Sequence, residues 1–314
     1  MKYRRKRQLL FIDQLKMTNK LTDRLAQKGL LLLDSAMGTM LQQAGLKSGE
    51  QCGELWNIDG PGSEKVFAVH RANVEAGSDI IIANTFGANP LKLARYGAAE
   101  QVVEINRAAV KLARDAAGED TLVAGDIGPT GEILEDWGGT RSRQEIRAAY
   151  ELQVQGLLEG GVDLVALETF MDLEELLLAL EAVRSGSPSM PVLASLTFSR
   201  GPGGVRTLWG LTPEQAAEKL GEAGADAVGA NCGMGTKSML EAAGRMAKAT
   251  SLPVAAQPNA GSPVVSNGET FYEESAEDMA ALAPEFKAAG IRLLGGCCGS
   301  TPEYILAARN ILGL

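Results

Sequence analysis

Eight short apolar runs, separated by helix-like segments, limit the folds open to this chain. They are Leu30–Asp34, Asp79–Ala83, Thr121–Asp126, Asp163–Glu168, Pro191–Phe198, Ala225–Asn231, Pro253–Gln257 and Ile291–Gly295. They are mostly Val, Ile, Leu and Ala without polar alternation, the pattern of strands buried on both faces. Helix starts are readable between them. Asp172 with Glu175 predicts a capping box ahead of Leu173, Leu176, Leu177 and Leu180. Thr212-Pro213 and Thr301-Pro302 each place a cap before a proline at the first helical position. Glycines at Gly77, Gly160-Gly161 and Gly290 end helices just before the next strand. This alternation predicts an α/β fold, a single (β/α)8 TIM barrel. The open doubly wound sheet is the alternative, but no glycine-rich dinucleotide fingerprint follows the first run.

In a parallel barrel the carboxyl ends of the strands share one face, where chemistry is done. The unusual residues of this sequence collect there. Cys232 closes the sixth run, and Cys297 and Cys298 follow the eighth between glycines. Three thiolates offer zinc a soft tetrahedral site with its fourth position free, which predicts a zinc site at the C-terminal face of the strands. A thiol substrate held there would lose its proton yet stay nucleophilic, so the pattern points to a zinc enzyme that alkylates a thiol. Neighbouring side chains on a regular strand face opposite ways. Cys297 and Cys298 can therefore share one ion only where the chain leaves strand geometry, as Gly295, Gly296 and Gly299 permit. Buried structural cysteines are the plainer reading of any single one. Cys52, in a polar loop, is expected to be a bystander.

A length of 314 residues with 45% hydrophobic content suits a sizeable core. The net charge of −9 argues against nucleic acid or an anionic membrane as the main partner. No run approaches the roughly 20 apolar residues of a membrane span. Four cysteines in a long chain suggest a reducing compartment, and a cytoplasmic protein is expected. Residues 1–18, with Lys2, Arg4, Arg5, Lys6 and Arg7, are expected to form a disordered or loosely helical basic extension, and residues 19–314 the barrel. The one histidine, His70, is expected on a helix surface or in packing, which leaves little support for a Ser-His-Asp hydrolase.

Seven segments in order resemble the homocysteine S-methyltransferase family, most closely its cobalamin-dependent methionine synthase branch. They are Leu33–Thr39, Asn84–Ala88, Gly125–Gly131, Glu168–Phe170, Gly229–Cys232, Pro258–Gly261 and Gly295–Gly299. The resemblance implies that Cys232, Cys297 and Cys298 hold Zn2+, that homocysteine binds as a zinc thiolate, and that it is methylated to methionine. It implies methylcobalamin as methyl carrier, on a separate corrinoid protein that docks at the barrel mouth, because no second domain is expected after Leu314; the alternative is that the chain is a fragment of a longer enzyme. Asp34 and Glu168 are the candidates for the substrate ammonium, and backbone N–H groups around Ala36, Met37 and Gly38 for its carboxylate. Water or the Asn259 amide oxygen would fill the fourth metal position. Asp126 is assigned a structural or loop-ordering role, and Met37, Met40, Phe86 and Phe170 an apolar rim. Two positions depart from the family pattern: Ser35 stands where glycine is usual, and Gln257 where glutamate is usual. Other readings are a donor such as S-methylmethionine or betaine, a corrinoid-protein methyltransferase with another acceptor or donor, and a non-catalytic zinc-stabilised binding module.

Overall fold

The computed structural model describes residues 19–47, 49–266 and 269–314, so the expected extension over residues 1–18 lies outside it. Eight parallel strands form the expected barrel. They are β1 (Leu31–Leu32), β2 (Ile80–Ile82), β3 (Leu122–Ile127), β4 (Leu164–Phe170), β5 (Val192–Leu196), β6 (Ala227–Gly235), β7 (Val254–Asn259) and β8 (Ile291–Leu294). From β2 to β8 each strand pairs with its neighbour in the chain, and β8 pairs with β1. The seam between β1 and β2 is closed differently. The Asp79 N–H donates to Leu32 O at 2.8 Å. Nearer the rim, Asp34 Oδ2 accepts the Ile82 N–H at 2.7 Å.

Strand parity sorts the side chains. One cluster fills the barrel: Leu31 and Leu33 of the first strand region, Leu122 and Ala124 of β3, Leu164 and Ala166 of β4, Ala255 of β7 and Leu293 of β8. The intervening residues, such as Val123, Val165 and Val228, belong to a larger layer between strands and helices. Continuing the inward column upward puts Asp126 above Ala124, Glu168 above Ala166 and Gln257 above Ala255. The barrel is therefore apolar in its lower layers and polar at its rim.

A three-residue device repeats at the amino ends of β2, β4 and β6: Gly77-Ser78-Asp79, Gly161-Val162-Asp163 and Gly224-Ala225-Asp226. Each aspartate donates its N–H to a carbonyl of the preceding strand and takes back that same residue's N–H on its carboxylate. The exchanges are with Leu32, Val123 and Val192. A basic residue completes each one: Lys28 on Asp79, Arg114 on Asp163 and Arg184 on Asp226. Side chains here extend the ladder beyond its backbone partners.

Some local features differ from expectation. Asp172 does cap the helix Leu173–Gly186, but its side chain accepts from the Glu174 N–H. Glu175 does not complete a capping box. It is buried and accepts from the Thr130 N–H at 2.7 Å, the Thr130 hydroxyl at 2.6 Å and the Tyr150 hydroxyl at 2.9 Å. Three donors inside the protein outweigh one backbone amide at a helix end. The helix Lys20–Lys28 sends Leu21 and Leu25 into the barrel cluster as a floor. Hairpins Ser199–Gly201 with Gly204–Arg206, and Pro263–Ser266 with Glu269–Tyr272, add β structure after β5 and β7. His70 is fully buried in the helix Gly60–Ala76, the packing outcome of the two expected.

Candidate metal and substrate site

Two strand irregularities aim the side chains that matter. Opposite β7 the register of β6 jumps between Asn231 and Gly235, so Cys232–Met234 bulge out beside Pro258, which has no N–H for the ladder. Opposite β5 the register of β4 slips between Leu167 and Phe170, which releases Glu168 and Thr169. Among the described residues, Thr169 (φ 63°) and Cys232 (φ 58°) are the two non-glycine residues in the left-handed region. One side chain steadies the first of them. Asn231 Oδ1 accepts the Thr169 N–H at 2.8 Å, and Asn231 Nδ2 donates to the Thr169 hydroxyl at 2.7 Å.

The cysteine pair leaves strand geometry as its adjacency requires. β8 ends at Leu294, and the Ser300 N–H donates back to Cys297 O at 3.0 Å, forming a turn. Gly299 sits third in that turn with φ 83°, the position that type II turns reserve for glycine. A Cβ there would also run into the ring of Tyr272, which packs over the turn. Backbone bonds from the Cys297 N–H to Pro258 O (2.7 Å) and from the Ala260 N–H to Cys298 O (2.9 Å) tie it to the end of β7.

The three sulfurs meet. All lie within 4.8 Å of one another, and Cys232 Sγ and Cys298 Sγ are 3.8 Å apart. A tetrahedral ion with metal–sulfur bonds of about 2.3 Å spaces its sulfurs by about 3.8 Å, so the donor set fits zinc in both chemistry and spacing. Thiols this close compete for negative charge. Hydrogen bonds from Cys232 and Cys297 hold Cys298 down to about 3, while donation to both neighbours, together with burial, pushes Cys297 well above the usual thiol range. A divalent cation removes that competition.

The sulfurs form one wall of a cavity of about 420 Å³ at the carboxyl ends of the strands. Asp34, Asp126, Glu168 and Gln257 also face it, as do Ala36, Met37 and Gly38. Gln257 Nε2 donates to Glu168 Oε2 at 3.2 Å. Burial raises Glu168 to about 7, with the Gln257 hydrogen bond opposing and the Cys232 charge adding. Burial also pushes the Asp34 and Asp126 carboxyls up, and the Glu168 charge pushes the same way. The Ala36 N–H is already given to Ser300 Oγ at 3.2 Å. The amides of Met37 and Gly38 open the helix Met37–Gln43, where no intrahelical acceptor exists for them.

Other expected residues fall elsewhere. Asn259 is buried and among the described residues its Oδ1 has no partner, but it does not line the cavity. Phe86 and Met37 line it; Phe170 is a core residue, and Met40 packs against a separate small cluster. Ser35 turns its hydroxyl onto Asn73 Oδ1 at 2.8 Å, so its extra atoms are already engaged. Cys52 is buried and bonded to Glu54, away from the other thiols. Two residues of the site went unrecognised in the sequence. Tyr272 stands beside Cys298, with its phenol raised to about 12 by burial and the nearby thiols. Asn231 has a signal, since it continues the inward column of Ala227 and Gly229.

A zinc-compatible thiol trio beside a carboxylate-walled cavity, at the mouth of a (β/α)8 barrel, makes a candidate site for metal-assisted chemistry on a thiol. The family model for homocysteine S-methyltransferase matches residues 31–312, and the chain belongs to that family. It is 34% identical over 304 residues to the methionine synthase of Mycobacterium leprae, covering 91% of this chain and 24% of the relative. With the methionine synthase of Mycobacterium tuberculosis it shares 33%, covering 91% and 25%. The chain thus spans about a quarter of the length of these curated relatives. The metallated homocysteine methyltransferase MmuM of Escherichia coli superposes with a TM-score of 0.76 at 28% identity, covering 93% of this chain and all of that one. Among the described residues no helix is long and apolar enough to cross a membrane.

Proposed function

We propose that this chain is a zinc-dependent enzyme that methylates homocysteine to methionine, with methylcobalamin on a corrinoid protein as donor. The observation that carries the reading is the thiol trio, spaced for one tetrahedral ion, in the wall of a cavity that also holds Asp34 and Glu168. The methionine synthase relatives support the choice of donor.

Cys232, Cys297 and Cys298 are the ligands in this reading. Bound zinc supplies Lewis acidity that lowers the pKa of the incoming thiol, while three anionic donors leave its sulfur electron-rich. The chain's own residues fix the substrate. Glu168 and the oxygen of Asp34 not engaged by Ile82 receive the ammonium. The free amides of Met37 and Gly38, with Ala36 beside them, receive the carboxylate. Water would take the fourth position in the absence of substrate, since Asn259, buried with its Oδ1 unpartnered among the described residues, does not line the cavity.

A second reading takes the methyl group from a small sulfonium or betaine. What favours it is the match to MmuM, whose whole length this barrel covers. Metal analysis combined with homocysteine methylation from methylcobalamin, S-methylmethionine and betaine decides between them. Zinc with methylcobalamin turnover is expected; turnover with a small donor alone would move the assignment to the second reading. A zinc protein inactive with all three would overturn both.

A further inference from the structure

Asp126 was expected to have a structural or loop-ordering role, and among the described residues the hydrogen bonds it makes run through its backbone. The residue is 5% exposed and lines the cavity, and among the described residues its Oδ1 has no hydrogen-bond partner. What holds its segment in place is backbone. The Asp126 N–H and O both bond the Thr85 hydroxyl, and Gln153 Nε2 bonds Asp126 O. A buried acceptor left empty costs roughly 1–3 kcal/mol, more when charged, so such an atom calls for a donor from outside the chain.

Its position says which donor. Asp126 pairs in register with Ala166, two residues before Glu168, and both side chains crown the inward column. Glu168 and Asp34 line the same cavity, and after burial itself their charges most raise the Asp126 carboxyl. Lys92 and Glu54 act on it from the β2 side, with opposite signs. Such crowding is relieved by a cation with several N–H groups. An α-ammonium has three donors, while Glu168 and the free oxygen of Asp34 supply two charged acceptors.

We propose that Asp126 Oδ1 is a third acceptor for the substrate ammonium, a substrate-contacting residue that makes the cavity select α-amino thiols over thiols lacking the amine. This rests on the homocysteine reading above. Gln257 Oε1 is also without a partner among the described residues, but it is neutral, and a charged acceptor binds an ammonium more strongly.

The test is calorimetric titration of the zinc-loaded protein with L-homocysteine and with 4-mercaptobutanoate, which keeps the thiol and carboxylate and lacks the amine. Wild type is expected to prefer homocysteine strongly. Asp126→Asn and Asp126→Ser should each reduce that preference by about tenfold or more, leaving 4-mercaptobutanoate affinity within about threefold. A purely structural role would weaken both ligands together, and that result would overturn the proposal. So would a preference unchanged in whichever variant folds by circular dichroism. Either result leaves the homocysteine reading standing if wild type still binds homocysteine. A wild-type protein that binds neither thiol removes both.

Discussion

Cys232 Sγ and Cys298 Sγ stand 3.8 Å apart although they hang from β6 and from the turn after β8, on either side of β7. The three cysteines are partly exposed residues at the rim and belong to neither the barrel cluster nor the layer between strands and helices. Cys232→Ala is therefore expected to abolish stoichiometric zinc retention and turnover while the far-ultraviolet spectrum and cooperative melting persist. Plasma emission spectrometry on the dialysed variant checks the first, and thermal melting the second. Global unfolding would instead make the site structural.

Glu168 gives a pH signature. Burial lifts its carboxyl to about 7, so below that pH it takes up a proton and loses its attraction for an ammonium. Homocysteine affinity in wild type should fall as pH drops from 8 to 6. Glu168→Gln should bind homocysteine about tenfold or more weakly at pH 8 and show a flatter profile. The same shift acts on stability with the opposite sense. A folded pKa above 4.5 means the native state holds the extra proton between about 4.5 and 7. That contribution is full below 4.5 and lost as pH rises through 7. The variant should therefore gain stability relative to wild type in alkaline buffer, by denaturant titration.

His70 tests the acid side. Burial lowers its imidazole from 6.5 to about 4, and among the described residues neither ring nitrogen has a partner. The unfolded chain then binds a proton between pH 6.5 and 4 that the folded chain refuses, so stability falls as pH falls through that window. The limit is on the order of 3 kcal/mol by pH 4. His70→Leu should flatten this limb in urea titrations at pH 7, 5.5 and 4. An unchanged slope would show that other groups carry it.

Asp163 is the most heavily bonded of the three repeated aspartates, with Val123, Arg114 and Lys20 all donating to it. Burial opposes its charge, yet these three hydrogen bonds together hold its carboxyl below the usual range. Asp163→Ala strands the Val123 N–H at the base of β4 and removes the ion pairs with Arg114 and Lys20. It should cost about 2–4 kcal/mol by denaturant titration, with zinc content unchanged.

The barrel was legible because parallel strands buried on both faces leave unbroken apolar runs, and glycine stops mark each return. The thiol trio was legible because cysteine at strand ends is chemically distinctive. What escaped notice has physical reasons. Tyr272 lies in a short hairpin outside the eight apolar runs, and it reaches the site only because Gly299 leaves room for its ring. Glu175 sits at the third position of a helix, where a capping box is the local answer, but Thr130 and Tyr150 arrive from elsewhere in the chain. Asp126 had a signal in its parity with Ala124, which points it inward; local sequence suggested a loop.

The carboxylate of Asp34 binds the Ile82 amide across the one junction of the cylinder that lacks a regular ladder, while the same residue forms part of the cavity wall. Architecture and recognition are thus invested in a single group. Remodelling ligand preference at that residue would loosen the stave on which the hoop closes. Engineering a new acceptor is safer at Asp126 or Gln257, whose spare oxygens carry no share of the scaffold.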